Sequence, residues 1–302
     1  MKNEFLKGIR HRMELLGVKF LLLLPALLPL KAAVKVGGNL LGLLAFDVVR
    51  IRRRVTLENI KRAFGDRYSK AERIRIGRAS YVNFAKSMIE FASLKRLGRA
   101  KLLELVEMDG LEIVDQCLAG NHGIVAVTGH FGSWEMLGAA MAARGYGVDF
   151  LVGEQANTMV DDLINDLRRS AGIGTISRGV AAKGIFRSLK ENRIVALLGD
   201  QDARRAGIFV DFFGTPASTF QGAAQFAYRA KSPIVCCFIV RGTDERHRAF
   251  FMPPIEPRPE APRDNEIVRM TAEHTRALEE FVTRYPDHYF WAHKRWKTRP
   301  RS

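Results

Sequence analysis

Cysteine is scarce in this chain of 302 residues, and its three cysteines lack the spacing of a metal site. Cys117 stands alone, whereas Cys236 and Cys237 lie in an apolar run, where thiols are usually buried. The absence of a disulfide framework is typical of a reducing compartment. The sequence also has neither a zinc-binding helix motif nor a glycine-rich phosphate loop. We therefore predict no metal site.

Acidic residues are also under-represented, with 32 Asp and Glu against 48 Lys and Arg and a formal net charge of +16. A surplus of this size favours an anionic partner, such as phospholipid head groups, nucleic acid or an acidic protein. The chain has no internal repeat and no low-complexity linker. Its length suffices for one large α/β domain preceded by helices.

The N-terminal region combines positive charge with two apolar runs. Its first 60 residues carry eleven Lys and Arg against four acids. The run over residues 18–30 is short and is interrupted by two prolines, and a second run covers residues 37–49. Lysines follow the first run directly, and no small-residue cleavage site comes after it. Both observations argue against a signal peptide. We predict that residues 1–50 form membrane-embedded or interfacial helices on the cytoplasmic side, with two buried core helices as the alternative.

The remainder, residues 51–302, is predicted to form one domain. Residues 50–107 have a helical pattern, and from about residue 108 short apolar strands alternate with helices. This alternation predicts an α/β fold with a mostly parallel central sheet flanked by helices on both faces. The predicted strands cover residues 124–128, 148–152, 175–177, 194–198, 234–240 and 247–252, the last at an edge of the sheet.

The stretch around His130 carries the clearest chemical pattern. Residues 124–128 are apolar and largely β-branched, as in a buried strand, and they run into a histidine flanked by glycines. Ser133 is suited to cap the helix that follows, and Glu135 lies in its first turn. His130 is therefore predicted at the carboxyl end of a strand, where open α/β sheets bind their ligands.

His130 and Glu135 are five residues apart, so on one helix they would not face each other. If His130 lies in the loop and Glu135 in the first helical turn, the two can meet. The carboxylate would then orient the imidazole, whose other nitrogen becomes a general base for a hydroxyl. The alternative is that Glu135 only complements the helix N-terminus and that His130 is a satisfied loop residue.

Other polar residues are predicted near the same sheet edge. Arg168 and Arg169 lie on a helix over residues 157–170, where they could hold a phosphate or an oxyanion, or lie on the surface near the helix C-terminus. Residues 200–202, Asp-Gln-Asp, follow a predicted strand directly. If that strand is parallel to the one before His130, Asp200 shares its edge and could position the histidine or an arginine.

The C-terminal residues 289–300 mix aromatic and basic side chains and contain no acid. Such a segment could stack on nucleic-acid bases. It could equally lie at a head-group interface, where Trp, Lys and Arg are favoured.

These residues together resemble a known family. Residues 129–135, Gly-His-Phe-Gly-Ser-Trp-Glu, are similar to the His-x4-acid motif of the glycerolipid acyltransferase superfamily, and more narrowly to that of the late, or secondary, lipid A biosynthesis acyltransferases. Further blocks support the resemblance over most of the chain, and they cover residues 59–64, 199–202, 209–214, 217–219 and 289–300.

The resemblance implies a bacterial inner-membrane enzyme that acts on the cytoplasmic side. It implies transfer of a fatty acyl group from acyl-acyl carrier protein to a hydroxyl of a lipid, foremost a lipid A precursor, without metal or cofactor. His130 would be the base and Glu135 its orienting partner. Arg168 and Asp200 match the family's functional arginine and aspartate, with Arg169 as a competing match, and Gln201 and Ser133 join them as predicted substrate contacts.

Other readings stay open at this point. The acceptor could be a phosphatidylinositol mannoside or a lysophospholipid. From different classes, the chain could be a basic nucleic-acid-binding protein, or a hydrolase that uses His130 with Ser133 or a metal. Ser133 lacks the Gly-x-Ser-x-Gly elbow of many serine hydrolases.

Overall fold

The computed structural model describes residues 8, 11–13, 15–17, 28–153 and 155–300. Its helices are α1 (Leu30–Val48, which includes two π-helical stretches), α2 (Arg53–Phe64), α3 (Lys70–Ser93), α4 (Arg99–Leu105), α5 (Leu111–Ala119), α6 (Trp134–Ala143), α7 (Thr158–Ser170), α8 (Ala181–Lys190), α9 (Gly222–Ala230) and α10 (Arg263–Arg284). Its strands are β1 (Val106–Asp109), β2 (Ile124–Thr128), β3 (Val148–Val152), β4 (Ile173–Ser177), β5 (Ile194–Leu198), β6 (Ile208–Phe212), β7 (Thr215–Thr219), β8 (Ile234–Arg241) and β9 (His247–Phe251).

Seven strands form one sheet in the order β1-β9-β8-β2-β5-β3-β4. The strands β8, β2, β5, β3 and β4 are parallel, whereas β9 is antiparallel to β8 and β1 is parallel to β9. The predicted α/β fold with a mostly parallel sheet is confirmed. The predicted edge position of β9 is wrong, because the four-residue strand β1, which begins in the region predicted as helical, pairs outside it.

Helices cover both faces of this sheet. One core layer joins α8, α9 and α10 to one face, and the other joins α4, α5 and α6 to the opposite face. Strand β2 is buried throughout, with Val125 and Val127 in the first layer and Ile124 and Ala126 in the second. This is the alternation that successive strand residues impose, and it explains why β2 reads as continuously apolar.

The segment over residues 208–219, which is not among the predicted strands, forms an antiparallel hairpin of β6 and β7. Phe213 and Gly214 connect the two strands, and both have positive φ angles, of 55° and 68°. A two-residue hairpin turn of this hand requires that conformation at both positions. Phe212 is fully buried and belongs to the core, whereas Phe209 is exposed.

The N-terminal helices pack on the domain through α3. Gly42 of α1 lies so close to α3 that a Cβ there would come within 2.5 Å of the Cα of Val82. The outer side of this region exposes large apolar side chains at Val36, Leu40, Leu43, Leu44, Val48, Val49 and Ile51.

Among the described residues, no single helix has both the length and the apolar character to cross a bilayer. Helix α1 and the helical segment Arg53–Arg67 meet these criteria only as a pair bent by 91°. Residues 18–27, most of the first apolar run, lie outside the described part of the chain. The membrane association of residues 1–50 and the boundary at residue 50 stay predictions.

Candidate active site

Two neighbouring strands bring His130 and Asp200 together. Thr128, the last residue of β2, pairs with Leu198, the last residue of β5, so the residues that follow them emerge side by side at the same sheet edge. The Nδ1 atom of His130 lies 2.8 Å from Oδ1 of Asp200. A Cβ on the intervening Gly129 would lie 3.2 Å from the Asp200 Cβ, which leaves little room for a larger residue.

The electrostatics fix the roles of the two imidazole nitrogens. Asp200 is buried, and burial by itself would raise its pKa, but the charge and hydrogen bond of His130 hold the pKa of Asp200 below its ordinary value. Burial would lower the pKa of His130, but Asp200 and the charge of Glu135 raise it above its ordinary value. With Asp200 ionised, Nδ1 carries the proton, and Nε2 keeps a lone pair that can accept a proton from a substrate.

Glu135, which is predicted to orient His130, forms its ion pair with Arg168 in the structure, so its role in orienting the histidine stays a prediction. The guanidinium of Arg168 lies 2.6 Å from Oε1 and 3.1 Å from Oε2 of Glu135. Glu135 is the second residue of α6, where its side chain faces α7 and not the loop. The two side chains are 16% and 5% exposed for Arg168 and Glu135, so they form a buried ion pair beside the histidine.

The structure distinguishes the two candidate arginines. Arg168 is half-buried against Glu135 and lies within 6 Å of the rings of Phe91 and Phe150. Arg169 points away, with its side chain 55% exposed and paired with Asp166. Of the two, only Arg168 contacts a residue of the His130 motif.

Ser133 occupies the N-cap position of α6, but its side chain makes no capping hydrogen bond. Its hydroxyl instead donates to Oε2 of Glu90 at 2.9 Å. Ser133 is 1% exposed, so it is closed to substrate in this conformation. The predicted N-cap position of Ser133 is confirmed, although its side chain does not cap the helix, and the contact with Glu90 argues against Ser133 as a nucleophile.

Glu90 itself belongs to a buried ionic network that sequence reasoning missed. Arg241 forms an ion pair with both carboxylate oxygens of Glu90, and Nε2 of His247 lies 2.9 Å from Oε1. Although burial opposes it, the charges of His247 and Arg241 hold the pKa of Glu90 far below its ordinary value. The sequence feature that could have indicated this network is the position of Glu90 on α3 between Ile89 and Phe91, both of which are buried.

Gln201 is the predicted residue nearest to the reactive nitrogen. Its Nε2 lies 3.4 Å from Nε2 of His130, a long contact that a substrate hydroxyl can replace. The neighbouring Asp202 faces away and accepts hydrogen bonds from the backbone N–H and the hydroxyl of Thr298. Asp202 therefore anchors the C-terminal segment. Within the described residues, no cluster of three or more His, Cys, Asp or Glu side chains could hold a metal ion.

The C-terminal segment forms the back wall of the site. Tyr289 pairs with Phe131 in an isolated β-bridge, and the backbone N–H of Phe290 donates to the His130 carbonyl at 2.9 Å. Tyr289, Trp291 and Trp296 are buried, so their rings cannot stack on nucleic-acid bases. Arg295 is 1% exposed, and its charge helps to keep Asp200 ionised.

Aromatic and apolar side chains also surround the imidazole ring of His130. The ring centres of Trp134 and Phe290 lie 5.1 and 6.2 Å from that of His130. Behind Trp134, a cavity of about 40 Å³ lies between the sheet and α6. Its lining is almost entirely apolar and includes Leu137, Met141, Phe150 and Cys237. A base next to an apolar cavity can act on a substrate with a hydrocarbon chain.

Comparison with known proteins identifies related sequences. The family model for bacterial lipid A biosynthesis acyltransferases matches residues 2–298. A lipid A biosynthesis myristoyltransferase of Escherichia coli (strain K12) is 28% identical over 261 residues, which is 86% of this chain and 79% of that protein. A lipid A biosynthesis palmitoleoyltransferase of the same strain is 22% identical, over 87% of this chain and 84% of that protein. A phosphatidylinositol mannoside acyltransferase of Mycobacterium tuberculosis (strain ATCC 25618 / H37Rv) is 30% identical over 54% of each chain.

Proposed function

Because the chain belongs to the bacterial lipid A biosynthesis acyltransferase family, we propose that it transfers a fatty acyl group from acyl-acyl carrier protein to a hydroxyl of a lipid A precursor. It is an acyltransferase, as its curated relatives are. The observation that carries the proposal is the His130–Asp200 pair, held at 2.8 Å beside an apolar cavity.

In this mechanism His130 is the general base. Its Nε2 takes the proton of the acceptor hydroxyl while the hydroxyl oxygen attacks the thioester carbonyl. The tetrahedral intermediate then expels the thiolate, and the imidazolium returns the proton to sulfur. Asp200 stabilises the imidazolium in between, as its low pKa and direct contact with Nδ1 allow. No covalent acyl-enzyme is needed, which agrees with the burial of Ser133.

The developing oxyanion needs donors close to His130. The first backbone N–H groups of α6 begin four residues after the histidine, and a helix N-terminus favours negative charge. Gln201 can donate from the opposite side. Arg168 has a different role in this scheme. Its pairing with Glu135 joins α7 to the first turn of α6 and so positions these donors.

The acyl chain of the donor is proposed to enter the cavity behind Trp134. That cavity offers almost no polar partner and lies against α6, whose first turn is next to the proposed oxyanion donors. Burial of hydrocarbon there contributes about 0.8 kcal/mol per CH₂ group. The side chains at its far end, such as Met141, would then limit the length of the chain.

We also propose that the enzyme acts at the cytoplasmic face of the bacterial inner membrane. The exposed apolar side chains of α1 lie between basic residues, with Lys31 and Lys35 before them and Arg50 and Arg52 after them. An interfacial helix combines these two features, because the apolar face enters the bilayer while the cations meet anionic head groups.

The function is tested with purified protein, acyl-acyl carrier protein and a lipid A precursor in detergent or vesicles. We expect release of free thiol and a product heavier by one acyl group, and loss of both in His130→Ala. Retention of wild-type turnover in His130→Ala would exclude the mechanism. A phosphatidylinositol mannoside and a lysophospholipid, offered in parallel, test the alternative acceptors, the first of which the mycobacterial relative favours.

A further inference from the structure

We propose that a basic surface on α8 and α9 is the docking site of the acidic carrier protein that delivers the acyl thioester. The surface, called the basic face below, consists of Arg178, Lys183, Arg187, Lys190, Arg229 and Lys231. The inference rests on the proposed acyl transfer at His130 and adds the place where the donor protein binds.

The charges of the basic face are of one sign and exposed. Lys183, Arg187 and Lys190 are spaced by four and three residues, so they share one side of α8. The buried side of the same helix carries Ile185 and Leu189. Neither α8 nor α9 contains an Asp or Glu. Glu191, which directly follows α8, can offset only one of these six positive charges, so the basic face keeps a positive potential that attracts an acidic protein.

Contacts between the two helices make the basic face continuous. Helix α8 packs on α9, and the guanidinium of Arg229 lies 4.9 Å from the centre of the Phe186 ring of α8. Arg178 extends the surface in the other direction, because its guanidinium lies 5.7 Å from the ring of Phe220, directly before α9.

The basic face reaches the sheet edge that carries the catalytic pair. Arg178 follows the end of β4, and a Cβ added to Gly153, which follows β3, would lie 3.7 Å from its guanidinium. Strands β3, β4 and β5 are parallel, so Asp200 emerges at this same edge. A carrier protein on α8 can therefore extend its flexible thioester arm along the edge to His130, and Arg178 is placed to meet the phosphate of that arm.

A protein partner fits the basic face better than a bilayer does. Of the residues that the structure describes between 173 and 207 and between 214 and 231, none is a strongly exposed large apolar side chain. The exposed apolar side chains cluster on α1, which packs against α3 near Ile89, whereas α8 and α9 cover the opposite face of the sheet from α6. Phe209 of β6 and Val268 of α10 are also exposed, each as the one such side chain of its element. Binding through charge alone, away from the apolar surface, is typical of electrostatically steered protein association.

The test compares two donors that carry the same acyl chain, myristoyl-acyl carrier protein and myristoyl-coenzyme A. In the triple variant Lys183→Glu, Arg187→Glu, Lys190→Glu, we expect KM for the carrier-protein donor to rise about tenfold or more. We expect KM for the coenzyme A donor to stay within twofold, because no carrier protein is present to dock. A matched control reverses three exposed arginines of α10, Arg263, Arg276 and Arg284, and should leave both KM values unchanged.

Direct binding of acyl carrier protein, followed by fluorescence anisotropy at two salt concentrations, separates this proposal from the proposed function. Affinity that falls with salt and is lost only in the α8 variant supports docking, whether or not the wild type turns over. Equal affinity in all three proteins would overturn it. If the α8 variant instead lost binding to phosphatidylglycerol vesicles while both of its KM values stayed unchanged, the basic face would be a bilayer-binding surface. That result would overturn the docking proposal as well.

Discussion

Replacement of Asp200 by Asn is the most informative perturbation of the site. Asp200 is 3% exposed and accepts the Nδ1 proton of His130 at 2.8 Å. An amide of the same shape removes the negative charge and can present its NH₂ group to Nδ1, which favours the tautomer with the proton on Nε2. That tautomer cannot act as a base at Nε2, so we expect kcat to fall by about 10³- to 10⁴-fold.

The pH dependence gives an independent measure of the same contact. General-base activity requires neutral His130, so wild-type kcat/KM should fall as the pH drops through the raised pKa of His130. Without Asp200, burial dominates and the pKa of His130 decreases. The acidic limb of the residual activity should therefore move to lower pH in Asp200→Asn, as measured by thiol release between pH 5 and pH 9.

The stability difference between the two proteins has a defined pH window. The raised pKa of His130 contributes stability that is complete below its unfolded pKa of about 6.5 and is lost as the pH rises through the folded value. The lowered pKa of Asp200 contributes stability that is present above its unfolded pKa of about 3.9 and is lost as the pH falls through the folded value. The variant should thus lose most stability, about 1.5–3 kcal/mol for one charged hydrogen bond, between these two unfolded values.

Glu135→Gln is the matched comparison, because Glu135 pairs with Arg168 and not with His130. It should move the acidic limb less than Asp200→Asn does. The reasoning is refuted if Asp200→Asn keeps kcat within threefold and an unchanged pH profile, or if Glu135→Gln causes the larger shift.

Three further changes test other parts of the site. Arg168→Gln leaves the buried Glu135 without its cation and should destabilise the protein by about 3 kcal/mol in urea unfolding, whereas Arg169→Gln should be nearly neutral because that side chain is exposed. Ser133→Ala should cost about 1–2 kcal/mol through loss of its hydrogen bond to Glu90 and should keep thiol release within a few-fold, and abolished turnover would contradict direct transfer. Met141→Trp should shift acyl preference to shorter chains in a donor competition assay read by mass spectrometry, and an unchanged preference would place the acyl chain elsewhere.

Local sequence was sufficient to place His130 at the end of a buried strand. The apolar run of β2 and the helix formers after Ser133 decide their secondary structure within a few residues, and both elements are observed. Local sequence could not show which carboxylate contacts His130. Glu135 is close in sequence, but Asp200 is close in space because β5 pairs with β2, and the order of strands in a sheet is a tertiary property.

The burial of the C-terminal segment also could not be predicted from local sequence. Its aromatic and basic residues have the composition of a surface for nucleic acid or head groups. In the fold, Trp291 and Arg295 are almost completely buried, and Arg295 donates to the carbonyl of Ser218 and the hydroxyl of Thr219. Because buried arginine is rare unless it is paired, composition alone predicted that this side chain would be exposed to solvent. The partners lie some 76 residues away in sequence.

Helix α3 contacts α1 on one side and the His130 motif on another, so it connects the N-terminal region to the candidate active site. One side receives α1 at Gly42, and another holds the His130 motif, where the hydroxyl of Ser87 donates to the carbonyl of Gly132 and Glu90 accepts from Ser133. A helix of 24 residues is about 36 Å long and resists bending over that distance. It therefore forms a rigid support between the exposed apolar surface of α1 on one side and the loop of the catalytic base on the other. The contacts of α1 at Val82, Lys86 and Ile89 alternate along α3 with those of the His130 motif at Ser87 and Glu90. One residue inserted in this stretch would rotate part of each set by about 100°, so both surfaces depend on the same few turns of one helix.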